Sequence, residues 1–167
     1  MALRNIMTEE QATLHKVSRP VTKFDQKLHD LLDDMAETLE KANGAGLAAP
    51  QVGILRRVFL VDVGDEGVFE MINPEILETS GEQDDLEGCL SVPGKWGMVK
   101  RPNYVRVQAQ DRFGEWYEVE AEGLLARCIL HENDHLDGHL YTELVTEYLD
   151  PSDFAEDDDD DYEGEDE

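Results

Sequence analysis

The hydrophobic and polar positions of the chain predict two amphipathic helices separated by several short strands. Between residues 24 and 42, apolar side chains recur at spacings of three and four, which places them on one face of a helix. They are Phe24, Leu28, Leu31, Leu32, Met35 and Leu39. Asn43 and Gly44 follow, and both residue types tolerate the left-handed conformation that ends many helices. A second helix is predicted from about Gly123 to Leu136, closed by Gly138.

Short apolar or alternating stretches between the two helices predict antiparallel strands. Segments 57–63 and 68–72 are separated by a glycine-flanked acidic turn, and segments 104–110 and 116–121 by residues 111–114. Both separations are typical of hairpins. The glycine-containing stretch 44–53 is predicted as a loop. The order helix, antiparallel strands, helix indicates an α+β fold rather than alternating βαβ units.

Charge divides the 167-residue chain into a body and an acidic tail. All 14 Lys and Arg residues precede residue 128, and 12 of the 40 acidic residues lie within 150–167. Residues 1–149 therefore carry a net charge of −14, and we predict one domain over 1–149 followed by a disordered acidic tail over 150–167. Such a charge excludes DNA as a direct partner, because phosphate binding relies on Lys and Arg.

Cysteine content and hydropathy point to the cytoplasm. Two cysteines are too few for a disulfide framework. No stretch approaches the ~18 apolar residues of a membrane helix, so no membrane association is expected. The first ten residues lack the character of a signal or transit peptide.

Residues 131–135 form the pattern H-E-x-x-H within the second predicted helix. Residues four apart share one helix face, with Cβ atoms roughly 6 Å apart, so His131 and His135 can reach one metal ion. Glu132, beside the first histidine, can accept a proton from a water at that metal. A pair of surface histidines with no metal is the alternative interpretation.

The pattern leaves the third ligand open. A metzincin would place a histidine where Tyr141 stands, which argues against that class. A thermolysin-like site would use a downstream glutamate such as Glu143 or Glu147. Cys89 offers a third solution, since two imidazoles and one thiolate leave a coordination position free for water, as catalysis requires. Cys89 is equally compatible with a small buried hydrophobic residue.

Three segments together resemble the signatures of the peptide deformylase family. Residues 44–51 resemble G-x-G-L-A-A-x-Q, residues 87–91 resemble E-G-C-L-S, and residues 131–135 resemble H-E-x-D-H. They occur in the family's order and at similar intervals, and the resemblance covers about residues 3–148. The arginine at position 127 resembles the subgroup that contains plastid enzymes and their bacterial relatives, which also carries arginine at this position. Trp96 is a departure, because many bacterial members carry arginine there.

The resemblance implies both a fold and a reaction. Antiparallel sheets would pack around a central helix that carries the H-E-x-x-H pattern. The enzyme would remove the formyl group from the N-terminal formyl-methionine of nascent polypeptides and release formate. Cys89, His131 and His135 would bind the metal, usually Fe²⁺ in this family, with Zn²⁺, Ni²⁺ or Co²⁺ as possible substitutes.

The resemblance also assigns the remaining site residues. Glu132 would move the proton, while the Gln51 side chain and the Leu90 backbone N–H would face the developing oxyanion. The alternative role of Gln51 is to hold its loop, and that of Trp96 is a core aromatic. Glu87 is expected to pair with Arg101. Substrate would be bound by seven residues: Ala45, Gly46, Gly88, Trp96, Leu124, Arg127 and Cys128.

The implied partners are an N-formyl-methionyl peptide and, as a neighbour, the exit region of the ribosome. The acidic body would be repelled by ribosomal RNA within the ~8 Å Debye length. Contact would therefore need a local basic face, such as one around Lys95, Lys100, Arg101 and Arg106. A monomer is expected. The rival interpretations are a metalloamidase with another acyl substrate and a binding protein that keeps the fold without catalysis.

Overall fold

A computed structural model describes residues 2–64 and 67–149, so the predicted tail lies outside the described residues. The chain forms two α-helices, α1 (Gln26–Ala42) and α2 (Gly123–Leu136). Short 3₁₀ turns cover Ala12–His15, Ala49–Val52 and Tyr141–Glu143. The strands are β1 (Gly46–Ala48), β2 (Val58–Asp62), β3 (Val68–Ser80), β4 (Gln83–Cys89), β5 (Val92–Arg101), β6 (Tyr104–Gln110), β7 (Trp116–Glu122) and β8 (Val145–Tyr148).

The strands form two antiparallel sheets, which confirms the α+β prediction. The larger sheet has the order β1-β2-β3-β6-β7, and the smaller one has the order β4-β5-β8. Helix α2 carries the H-E-x-x-H pattern and packs against β1, β2 and β7. Within the described ranges, no helix combines the length and the hydropathy needed to span a membrane.

Helix α1 begins two residues later than the sequence pattern suggests. Asp25 has an extended backbone and is the N-cap residue of α1. Its side chain accepts a hydrogen bond from the Leu28 backbone N–H at 3.2 Å, so the helix begins at Gln26. Phe24 still packs against the core that α1 forms with β1 and β2. The predicted end is confirmed, since Asn43 adopts a left-handed conformation with φ 58°.

Four strands were not predicted from the sequence. Strand β4 has the sequence QDDLEGC, which lacks apolar alternation because much of it faces solvent. Strand β5 contains two glycines and a proline, and short β8 depends on its pairing with β5. Strand β1 lies in the stretch predicted as a loop, where its pairing with β2 outweighs the weak strand preference of glycine.

The amino-terminal segment braces the region that will form the site. The Met7 N–H donates to the Gln51 carbonyl at 2.7 Å, and the Glu9 N–H donates to the Ser91 carbonyl at 3.0 Å. Leu14 is fully buried in a cluster with residues of β5 and of the chain after α2. Residues 7–14 are therefore packed against the rest of the described structure.

Asn73 ties the larger sheet to the segment that precedes α1. It has φ 51° at a register shift in β3. Its amide accepts from the Val21 N–H at 2.8 Å and donates to the Val21 carbonyl at 2.9 Å and to Gln110 at 2.7 Å. This segment then contacts the end of α2 through the bond from the Ser18 N–H to the Leu136 carbonyl.

We predict that Asn73→Ala lowers the free energy of unfolding by about 2–4 kcal/mol, because three hydrogen bonds are lost and alanine disfavours positive φ. Urea unfolding measures the change. Gln108→Ala, which removes a surface hydrogen bond to Glu75, is the control and should cost less than about 1 kcal/mol. Equal losses in the two variants would contradict the anchoring role of Asn73.

Candidate active site

Cys89, His131 and His135 converge on one point inside the protein. One donor atom from each residue lies within 4.8 Å of the others, and the Cys89 Sγ is 3.4 Å from the His135 Nε2. The two imidazole rings are edge to face, with centroids 5.1 Å apart. Sequence motifs some forty residues apart thus form a single cluster of a thiol and two imidazoles.

Local backbone structure explains this convergence. His131 and His135 are one turn apart on α2 and both are buried. Cys89 ends β4 at a register shift against β5, which turns its side chain toward the helix. A Cβ on Gly88 would lie 2.9 Å from the Trp96 ring, so only glycine fits beneath this indole. The ring of Tyr141 stacks on His131 at 5.9 Å.

Electrostatics distinguish the two histidines. Burial opposes protonation of His131, but hydrogen bonds to Cys89 and Glu87 outweigh it and hold its pKa well above the usual value. Burial, followed by the nearby charge of His131, holds the pKa of His135 well below its usual value. The Glu87 carboxylate lies 2.8 Å from the His131 Nδ1. Because the Nδ1 of His131 is engaged by Glu87, its Nε2 is the ring nitrogen that remains as a donor atom of the cluster.

The donor set fits a divalent transition metal. Thiolate and imidazole ligands bind such ions at about 2.0–2.3 Å, which brings neighbouring donors to within about 3.5 Å of each other. The Cys89 Sγ and His135 Nε2 are 3.4 Å apart and already meet this condition, and the His131 donor lies within 4.8 Å of both. Cys128 is not among the donor atoms that converge within 4.8 Å, and burial raises the pKa of its thiol to about 12.

Glu132 lies beside the cluster as a buried carboxylate with one oxygen available. Its Oε2 is 4.0 Å from the His131 Nε2, and its Oε1 has no hydrogen-bond partner among the described residues. Burial raises the pKa of Glu132 to about 7, although the neighbouring His131 lowers it. A carboxylate with this pKa can both accept and release a proton near neutral pH.

Gln51 directs its amide nitrogen toward the cluster. Its Oε1 accepts from the Ala48 N–H at 2.9 Å, which leaves Nε2 to donate to Ser91 Oγ at 3.0 Å and to face Cys89 Sγ at 3.6 Å. Gln51 therefore holds its own loop, as one alternative suggested, and also presents a donor to the site. Leu90 lines the same space and packs against the α1 core.

A cavity of about 560 Å³ opens above the cluster. All predicted site residues except His135 line it, and His135 is buried beneath them. Trp96 belongs to its wall while remaining 45% exposed, so the indole is not a core aromatic. The predicted residues on the wall are Ala45, Gly46, Gln51, Gly88, Cys89, Leu90, Trp96, Leu124, Arg127, Cys128, His131 and Glu132.

Sequence reasoning missed several neighbours of the cluster. Fully buried Ser91 holds the Gln51 amide, and Tyr141 serves as a stacking partner for His131. The predicted Glu87–Arg101 pair is confirmed, but Arg127 also donates to Glu87. The helical spacing of Arg127 and His131 was the available signal, since it places both side chains on one face of α2.

Two buried histidines and a thiol beside a buried carboxylate, reached from an open cavity, are typical of metal-dependent hydrolases. The family model for polypeptide deformylase matches residues 3–149. A peptide deformylase of Agathobacter rectalis is 59% identical over 87% of this chain and 91% of its own, and one of Caldicellulosiruptor bescii is 56% identical over 89% of each. The crystal structure of the Thermotoga maritima peptide deformylase superimposes with a TM-score of 0.84, at 41% identity over 86% of this chain and 98% of its own.

The chain belongs to the peptide deformylase family. It is a metal-dependent hydrolase that removes the N-formyl group from nascent polypeptides. The Cys89–His131–His135 cluster is a possible site for the metal.

Gly46 faces Glu132 so closely that no side chain fits between them. A Cβ built on Gly46 would lie 2.5 Å from the Glu132 Oε2. We predict that Gly46→Ala displaces this carboxylate, retains bound metal and lowers kcat by at least tenfold. Formate release and metal content, measured on the same sample, check the prediction. Unchanged kcat would contradict it.

Proposed function

We propose that Cys89, His131 and His135 together bind one divalent cation, Fe²⁺ in the native enzyme, with Zn²⁺, Ni²⁺ or Co²⁺ as substitutes. The observation that carries the proposal is the convergence of three donor atoms within 4.8 Å beside Glu132. The donor chemistry supports a transition metal, and the choice of iron rests on the resemblance to the family. When bound, the cation acts as a Lewis acid toward the formyl carbonyl and lowers the pKa of water.

Glu132 moves the proton in this proposal. Its free Oε1 accepts a proton from the attacking water and delivers it to the nitrogen of the departing peptide amine. Burial raises the pKa of Glu132 to about 7 in the metal-free protein, and a bound cation would lower this pKa and keep Glu132 ionised as the proton acceptor. The formyl C–N bond breaks, and formate and a free amino terminus result.

Gln51 and Leu90 stabilise the oxyanion that forms on the formyl oxygen. The Gln51 side-chain amide is fixed, because its Oε1 accepts from the Ala48 N–H and its Nε2 donates to the Ser91 Oγ, and Nε2 already faces the cluster. The Leu90 backbone N–H would supply the second donor. Removing one donor of this kind typically costs ~10²–10³ in rate.

The substrate would enter the 560 Å³ cavity with its formyl-methionine first. Trp96, Leu124 and Cys128 offer an apolar surface for the methionine side chain, and Arg127 contributes to the same wall. Ala45, Gly46 and Gly88 permit close approach of the substrate backbone. Strand β1 is an edge strand, so an extended peptide can pair with it as an added strand.

The enzyme would act in the cytoplasm as a monomer, on chains that emerge at the ribosome exit region. Lys95 and Lys100 lie on β5 and would supply the basic contact to ribosomal RNA. The domain over 1–149 would contain all the catalytic residues, and the acidic segment 150–167 would be dispensable for chemistry.

Anaerobically purified protein tests the proposal as a whole. Formate release from a formyl-methionyl peptide, with metal content measured on the same sample, should correlate with bound iron. The matched acetyl-methionyl peptide is the control and should release no acetate at a comparable rate. Absence of formate from metal-loaded protein would overturn the proposed substrate.

We predict that Glu132→Ala keeps the metal and lowers kcat by about 10²–10⁴, since the carboxylate transfers protons without being a metal ligand. Metal analysis and formate release measure the two effects. Glu147→Ala removes an exposed carboxylate and should change neither. Parallel loss of metal and activity in Glu132→Ala would contradict the assigned role. Metal loss in Glu147→Ala would indicate that Glu147 is a metal ligand, as in the thermolysin-like interpretation.

We predict that ending the chain after Asp150 changes kcat/KM for short neutral formyl-peptides by less than about twofold. The described domain already contains every residue proposed for catalysis. The full-length chain, assayed at the same ionic strength, is the control. A tenfold fall would mean that the acidic segment takes part in substrate binding or in the integrity of the site.

A further inference from the structure

Arg127 lies in the cavity wall, and two of its three guanidinium nitrogens donate within the protein, whereas the buried Nη2 has no hydrogen-bond partner among the described residues. Its side chain is 4% exposed. The Nη1 donates to the Glu87 Oε2 at 2.7 Å, and the Nε donates to the Gln83 Oε1 at 3.2 Å. The guanidinium thus bridges two side chains of β4, Gln83 and Glu87.

The bridge joins the two elements that carry the metal cluster. Gln83 and Glu87 lie on β4, four residues apart and on the same face. Arg127 lies on α2, one turn before His131. Strand β4 ends at Cys89, so the spacing between β4 and α2 sets the distance from the thiol to the imidazoles.

Arg127 is not needed merely to neutralise the negative charge of Glu87. Arg101 already forms a two-nitrogen ion pair with Glu87, and its Nη1 donates to Asp134 at 3.0 Å. What Arg127 adds is a planar group that holds two positions of β4 at once, which the compact ammonium of a lysine cannot reproduce. Gln83 is itself fixed, since its Nε2 donates to the Gly123 carbonyl at the start of α2 at 2.8 Å.

We propose that Arg127 is a positioning residue, which acts through Glu87 and Gln83 to keep β4 against α2 so that Cys89 meets His131 and His135. The inference rests on the proposed metal-binding role of these three residues. It gives Arg127 a role beyond lining the cavity. Groups that hydrogen-bond a metal ligand, as Glu87 does to His131, typically contribute 10–100-fold to metal affinity, and Arg127 acts on the cluster by holding this Glu87.

The test compares Arg127→Met and Arg127→Lys in the full chain loaded with Co²⁺. The rate of Co²⁺ loss to excess chelator is followed by absorbance. Arg127→Met should lose Co²⁺ about 10–100-fold faster than the parent, and Arg127→Lys should recover little of this loss. Arg112 pairs with Asp33 and Glu70, away from the cluster, so Arg112→Met is the matched control and should keep the parent rate.

Two further measurements separate positioning from other roles. A purely structural role would lower the melting temperature of the metal-free protein without changing the rate of Co²⁺ loss. A role in substrate contact alone would change the ratio of kcat/KM for formyl-methionyl over formyl-leucyl peptides while metal retention stayed at the parent level. Either result would overturn the proposal.

The lysine variant decides the case if Arg127→Met fails to fold. A parental rate of Co²⁺ loss in Arg127→Lys would show that charge suffices and would overturn the bridging role. Faster loss in that variant would support it. The metal measurement needs no substrate, so an absence of formate release in the parent enzyme would refute the proposed reaction without affecting this test.

Discussion

The arrangement of the site depends on the hydrogen bonds that the buried carboxylate of Glu87 makes. It binds His131 on α2 and Arg101 on β5 from its own position on β4. Burial would raise the pKa of Glu87, but the bonds from His131 and Arg101 outweigh burial and lower it to about 2. A buried carboxylate that stays ionised requires such partners, because an unpaired charge in this environment would be costly.

The cluster gains its geometry from two rigid elements rather than from loops. Helix α2 fixes the spacing of the two histidines through its own turn, and β4 presents Cys89 through its pairing with β5. Glycines then provide space at two points: Gly88 accommodates the Trp96 ring, and Gly46 accommodates the Glu132 carboxylate. The shape of the cavity therefore depends on glycine at these two positions, where a larger residue would collide with Trp96 or Glu132.

The sequence predicted the helices and the chemistry better than it predicted the strands. The apolar stripe of α1 is a strong signal, because that helix buries one face. Helix α2 buries four consecutive residues, Ala126 to Ile129, so its central turn is enclosed on all sides. Strands β4 and β8 leave much of their length in solvent, so their sequences carry no alternation to detect. Their pairing with β5 arises from contacts between distant residues, and a local pattern does not contain that information.

The individual site residues illustrate the same limit. The proximity of His131 and His135 follows from helical spacing, whereas the position of Cys89 was suggested by the family resemblance and not by any local rule. Arg127 was expected to contact substrate because the family resemblance assigns it to the substrate pocket, and it does line the cavity. Its bond to Glu87 depends on how β4 packs against α2, which no pattern along one helix can indicate.

The bracing of Gln51 and Ser91 by Met7 and Glu9 has a consequence for the biosynthesis of this enzyme. Leu14 packs against Tyr141, so residues near both ends of the described chain meet beside the cluster. Contacts over such sequence separations form late, because the intervening chain must first be available. Leu14 leaves the ribosome before α2 and the turn after it, so it cannot reach its native contacts in this cluster until both have emerged. An enzyme for newly made chains would therefore be inactive as an incomplete chain itself.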